Sequence, residues 1–178
     1  MAPHQPTRKA YCAARAREDE RIYAKPERQA DLRRLEEAIP AHFDGRCVLE
    51  VACGSGYWTQ HIARTARRIL ATDLSEEPLE VARVKDLPAD KVTFSIADAF
   101  ALPTDRGPFD GAYPGFWWSH LRHAEARRFL ESLKPCLAPG AVVVLMDNLF
   151  VPGNSTPISR TDVEGNTWQK RSLDNGTT

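Results

Sequence analysis

Between residues 46 and 147, short apolar runs and helical patterns alternate five times, and this alternation restricts the possible folds more than any other feature. Cys47 to Ala52, Arg68 to Thr72, Val92 to Ala97, Phe109 to Tyr113 and Ala141 to Met146 read as strands. Helical spacing separates them. Trp58 and Ile62 run on toward Arg64 and Arg67, while Phe129, Leu133 and Leu137 form a stripe closed by Pro139-Gly140. Ser75-Glu-Glu-Pro78 supplies a cap candidate, early acids suited to the helix dipole, and a proline near the first turn. Strands joined through helices run parallel, which predicts an α/β fold: a three-layer, doubly wound, mostly parallel sheet. The last strand is apolar at every position, as expected of one buried on both faces.

Two polar flanks enclose this core. Residues 1–45 read as helical, with Leu32, Leu35 and Ile39 following Pro26 and with Pro40 at the end. From Val151 the chain turns polar and rich in Gly, Ser, Thr, Pro and Asn, so the segments are 1–45, 46–150 and 151–178. At 178 residues a single domain is favoured. Twenty-four basic residues balance 24 acidic ones, whereas a domain binding nucleic-acid backbone is expected to be basic. The longest strongly apolar run, Ala141 to Met146, has six residues, too few to span a bilayer. The N-terminus has no apolar signal core, and Cys12, Cys47, Cys53 and Cys136 form no C-x-x-C pair. The expectation is a cytoplasmic protein with no metal site, no nucleic-acid partner and no membrane partner.

The most informative stretch is Val48-Leu-Glu50-Val51-Ala52-Cys-Gly54-Ser-Gly56. Two glycines between a strand and a helix let backbone approach a ligand closely, beside free N–H groups at the helix start. A nicotinamide-dinucleotide site follows G-x-G-x-x-G, but Thr59 stands at the third glycine position, and Glu50 fits poorly beside a pyrophosphate. Taken singly, the glycines also suit a sharp turn, Asp73 a helix cap and Asp98 a solvated loop. Together they fall at consecutive strand carboxyl ends, where open α/β sheets bind ligands.

The segment resembles the first motif of class I (Rossmann-like) S-adenosylmethionine-dependent methyltransferases, an acid followed by x-x-x-G-x-G. The likeness is to the small bacterial type and covers roughly residues 7–150. It implies S-adenosylmethionine (SAM) as cofactor, S-adenosylhomocysteine (SAH) as product, and Glu50, Ala52, Gly54 and Gly56 around the cofactor. Asp73, 17 residues beyond Gly56, takes the place of the acid that holds the two ribose hydroxyls, with Leu74 beside it. Asp98, Ala99 and Phe100 resemble the motif against the adenine, and Phe109-Asp110 the fourth motif. In the N-terminal helix, which resembles a lid, Tyr11 and Arg15 are implied near the methionine end of the cofactor.

The implied reaction is in-line methyl transfer to a small-molecule acceptor. Most of its rate can come from proximity and water exclusion, and a base is needed only for an O–H or protonated nitrogen acceptor. The acceptor is expected beyond strand four, over Tyr113, Phe116, Trp117 and Trp118, with His120 as candidate base and Asp147 as a further substrate contact. The same run equally suits a packed loop covering the sheet. Two other functions stay open: a non-catalytic cofactor-binding or interaction protein of this fold, and a NAD-dependent dehydrogenase.

Families of this kind add an antiparallel hairpin beside strand five, about seven strands in all. Asn166 to Arg171 is the expected first member and Asp174-Asn-Gly176 has hairpin-turn chemistry, yet the sequence ends at Thr178. The hairpin is therefore expected to be incomplete, leaving strand five an unpaired apolar edge. The consequence is a homodimer through that edge, a loosely held segment 151–178, or marginal stability. The alternative is a tail folded back over the edge.

Overall fold

The computed structural model describes residues 21–153 and 155–169. Pro26 opens a single 3₁₀ turn, Pro26–Arg28, that leads into α1 (Gln29–Ala41). Then follow β1 (Cys47–Val51), α2 (Tyr57–Ile62), β2 (Arg68–Asp73), α3 (Glu76–Arg83), β3 (Val92–Ile96), β4 (Phe109–Tyr113), α4 (His123–Leu133) and β5 (Leu137–Val143). The five strands form one parallel sheet in the order β3-β2-β1-β4-β5. The chain runs outward from β1 to β3, then restarts on the other side with β4. The topological switch point, where such sheets bind ligands, thus lies between β1 and β4.

Alternation along β1 sorts side chains between two cores. Val48 joins Leu32, Ile39, Phe43, Trp58, Ile62 and Ile69 under α1 and α2. Leu49 and Val51 join Leu70, Phe109, Phe129 and Leu133 under α4. A charged residue, Glu50, stands on the first of these faces, flanked in register by Ala71 of β2 and Tyr113 of β4.

Four local expectations change. α2 stops at Ile62, with Ala63 as C-cap, and does not reach Arg67. Leu137 opens β5 and does not close the helix, so Pro139-Gly140 lies inside the strand, whose register to β4 shifts between Phe109 and Gly111. β5 is not buried on both faces. It is the sheet edge, with Val143 39% exposed and Leu145, just beyond, 50% exposed. Ser75 precedes α3 as its N-cap, but its hydroxyl makes no capping bond.

The C-terminal hairpin forms earlier in the chain than expected. β6 (Ile158–Thr161) pairs antiparallel with β7 (Thr167–Gln169) as a separate two-stranded sheet, so Thr167–Gln169, within the expected first member, is the return strand. The Asp162 side chain explains the position of the turn: its Oδ1 accepts the Glu164 and Asn166 N–H groups at 3.0 and 2.9 Å. The Asn166 side chain accepts the His123 N–H at 2.8 Å, which ties the hairpin to the start of α4. Asp174-Asn-Gly176 lies outside the described residues. Among the described residues, no helix is long and apolar enough to cross a membrane.

Candidate cofactor and acceptor site

β1 delivers its carboxyl end into the turn Ala52 to Gly56. Ala52, Gly54 and Gly56 all take positive φ, at +55°, +57° and +76°. At Gly56 the need for glycine is twofold, because an added Cβ would also stand 2.9 Å from the Ala82 Cβ of α3. At Gly54 nothing lies within 4 Å of an added Cβ, so the turn faces open space there.

Asp73, at the end of β2, fixes this turn from the neighbouring strand. Its Oδ2 accepts the Gly54 N–H at 3.0 Å and its Oδ1 the Ser75 N–H at 3.1 Å. The side chain is buried. A carboxylate offers about four acceptor positions.

Beside the turn lies a cavity of about 110 Å³, lined among others by Glu50, Gly54, Tyr23, Trp58, Tyr113 and Phe116. Glu50 is fully buried, and burial pushes its carboxyl up to about 8, with the Thr59 hydroxyl acting in the opposite direction. Its Oε2 has no hydrogen-bond partner among the described residues. Burial, and then the Glu50 charge, raise the Tyr113 phenol well above its ordinary range. Cys53 also lines the cavity. Burial, with Glu50 and Asp73 nearby, holds its thiol protonated, which makes it a poor nucleophile.

The aromatic run after β4 divides between the two faces of the sheet. Phe116 takes φ +54°, donates its N–H to the Met146 carbonyl at 2.7 Å, and stands 6.0 Å from the Trp58 ring beside the cavity. Trp117 and Trp118 pack on Phe129 of α4, with ring centroids 4.6 and 6.4 Å away. Phe100 joins that opposite cluster, 5.7 Å from Trp117 and under the Arg128 guanidinium.

The structure thus brings Glu50, Ala52, Gly54, Tyr113 and Phe116 to one cavity, with Asp73 bonded to its edge. Leu74, Asp98 and Ala99 follow β2 and β3 at the same end of the sheet, apart from the cavity. Leu74 is 39% exposed, and the exposed Asp98 accepts the Phe100 N–H at 2.9 Å. His120 lies on the exposed 3₁₀ turn Trp118–His120, off the cavity wall. Asp147 accepts the N–H and hydroxyl of Ser119 at 2.6 and 2.8 Å and the Asn148 N–H at 2.7 Å, stapling the loop after β4 to the segment after β5. Tyr11 and Arg15 lie outside the described residues.

Sequence reasoning missed Tyr23 and Trp58 as site residues. Tyr23 stacks on Tyr57 at 3.5 Å with rings 5° from parallel, and meets Trp58 edge-on at 6.2 Å. A signal was present for Trp58: an aromatic in the first turn of the helix after Gly56 lies at the carboxyl end of β1. For Tyr23 the signal was its place in the lid-like segment Ile22-Tyr23-Ala-Lys25, and its stack on Tyr57 carries it to the cavity wall.

Residues 48–140 match the methyltransferase domain family Methyltransf_25. Over 89% of this chain and 74% of the other, the fold resembles the DhpI–SAH complex, at 30% identity and a TM-score of 0.66. The DhpI–SAM–HEP complex gives 29% identity and a TM-score of 0.65, over 88% of this chain and 76% of that one. A demethylmenaquinone methyltransferase of Clavibacter sepedonicus is 33% identical over 103 residues, 58% of this chain and 41% of its own length. The O-methyltransferase cnsE of Penicillium expansum is 33% identical over 107 residues, 58% of this chain and 38% of its own. The chain therefore spans about two fifths of the length of these curated relatives. The alternating core, the glycine turn held by Asp73 and these similarities lead to one family: the chain belongs to the methyltransferase domain proteins.

Proposed function

We propose that the protein is a SAM-dependent methyltransferase that transfers a methyl group to a small-molecule acceptor. The observation that carries this reading is the Asp73–Gly54 bond beside a partly open cavity with aromatic walls at the switch point. The residues present suit the cofactor. Asp73 holds a carboxylate at the edge of the turn, the group type that suits a ribose diol, Gly54 leaves open space at the turn, and the Glu50 Oε2 has no partner among the described residues and suits an ammonium group. Bound SAM supplies an electrophilic methyl on sulfur. The chain's task is then to place the acceptor in line with that methyl and to exclude water, for which Tyr23, Trp58 and Phe116 are suited. His120, on its exposed turn, is a candidate base only for an acceptor long enough to reach it.

Zero net charge and an aromatic cavity wall favour a small acceptor over nucleic acid. Free Cys47, Cys53 and Cys136 suit a reducing cytoplasm. The exposed outer edge of β5 suits a second copy of the chain, giving a homodimer. Titration calorimetry with SAM and SAH tests the cofactor, and an SAH-release screen over phenols, carboxylic acids and amines tests the reaction. Binding of NAD in place of SAM would establish the dehydrogenase reading. Cofactor binding without turnover on any acceptor class would favour the non-catalytic one.

A further inference from the structure

Two hydrogen-bond donors on the wall of the cavity have no partner. The Trp58 Nε1–H and the Tyr113 hydroxyl are each buried and unbonded among the described residues. Both side chains line the same cavity, and their ring centroids are 6.3 Å apart at 66°. An unmade bond at a buried polar group costs about 1–3 kcal/mol, so two of them around one cavity point to a ligand that supplies the partner. The indole N–H can only donate. The missing partner is therefore an acceptor atom.

The placement of Tyr113 depends on Gly115, two residues on. A Cβ at Gly115 would stand 2.3–2.5 Å from the Tyr113 ring, so the ring occupies space that any side chain there would fill. Around the two donors the wall is aromatic: Tyr23, Tyr57 and Phe116 line it, and no Lys, Arg or His does so among the described residues. Such a wall suits edge-to-face packing of another ring, and among the described residues it gives an isolated anion no cationic partner. The acid present, Glu50, supplies no positive charge in either protonation state.

We propose that the Trp58 N–H and the Tyr113 O–H together hold the oxygen of the methyl acceptor, and that the acceptor is a hydroxylated aromatic ring of the phenol class. This rests on the methyltransferase reading of the same cavity. As the O–CH₃ bond forms, the S–CH₃ bond breaks with its electron pair going to sulfur, and the acceptor's hydroxyl proton passes to solvent water. Tyr113 and Trp58 orient the oxygen and stabilise the charge it carries as that proton leaves. They are positioning groups and neither takes up the proton.

The test uses the whole chain, with phenol and aniline as probes of the SAH-loaded protein in titration calorimetry. Phenol is expected to bind the SAH complex, and aniline, a far weaker acceptor, to bind at least about tenfold more weakly. Tyr113→Phe should weaken phenol binding about tenfold while SAH affinity stays within about twofold, which also shows that the variant is folded. Gly115→Ala, which displaces the Tyr113 ring, should reproduce the phenol defect. Equal binding of phenol and aniline, no binding of phenol, or an unchanged phenol affinity in Tyr113→Phe would overturn the proposal. Loss of SAH affinity in Tyr113→Phe would overturn it too, because Tyr113 would then serve the cofactor. If the wild-type chain binds no SAH, the methyltransferase reading itself fails, and this proposal with it.

Discussion

The Asp73 carboxylate holds the Gly54 amide at 3.0 Å from the adjacent strand, so the glycine turn of β1 is set by the end of β2. Replacing Asp73 with Ala strands two amides, the half-buried one of Gly54 and the buried one of Ser75. We expect Asp73→Ala to cost about 2 kcal/mol of stability and to weaken SAH binding by at least about tenfold. Thermal melts and calorimetry measure the two separately.

Gly54→Ala and Gly56→Ala should diverge. At Gly56 the left-handed backbone and the 2.9 Å approach to Ala82 combine, and a stability loss of about 2–3 kcal/mol is expected. At Gly54 the backbone cost alone applies, about 1 kcal/mol, yet the methyl group enters the space reserved here for the cofactor. Chemical denaturation should rank Gly56→Ala as less stable. SAH titration at a temperature where both are folded should show binding lost in Gly54→Ala.

The buried Glu50 makes stability depend on pH. Its carboxyl sits near 8 in the folded chain against 4.5 as a free side chain, so between those values the folded state holds a proton that the unfolded state has released. Stability from this group is full below about 4.5, falls by up to about 1.4 kcal/mol per unit as pH rises, and is lost above about 8. Glu50→Gln should flatten the profile across this window. An ammonium-bearing ligand beside Glu50 should displace the proton, so SAH binding should tighten from pH 6 to 8 in the wild type alone. Calorimetry in buffers of different ionisation enthalpy should register the released proton.

Neighbouring aromatics should fail in different ways. Trp117→Ala empties a contact with Phe129 and should cost about 3 kcal/mol, with SAH affinity retained below the melting point. Phe116→Ala opens the cavity wall beside Trp58 and should raise the acceptor KM at least several-fold. Urea denaturation and steady-state kinetics distinguish the two.

The outer edge of β5 should support self-association, which a lysine at Val143 would suppress. Light scattering is expected to show a dimer for the wild type and a monomer for Val143→Lys. A wild-type monomer with strongly protected β5 amides in hydrogen exchange would rule the contact out.

Legibility followed the range of the forces involved. The strand–helix alternation, the glycine turn and Asp73 could all be read in advance, because two-residue and 3.6-residue periods and positive-φ positions are local properties of the chain. The hairpin stands several residues earlier than expected because Asp162 organises a longer turn through Asx-type side-chain bonds, which compete with the two-residue turn chemistry further on.

What the sequence alone determined is the order of elements and the end of the sheet at which a ligand binds. What only the tertiary structure decided is which side chains meet there. Phe116 and Trp117 are adjacent in sequence, yet one lines the cavity and the other packs under α4, since the turn after β4, with Phe116 at φ +54°, sends successive side chains to opposite sides of the sheet. β5 has the composition of a central strand and stands at the edge, because burial there depends on whether another strand pairs beyond it. Glu50, Tyr113 and Trp58 come from three separate elements, and only the parallel register of β1 with β4 and the packing of α2 bring their unpartnered polar atoms around one space.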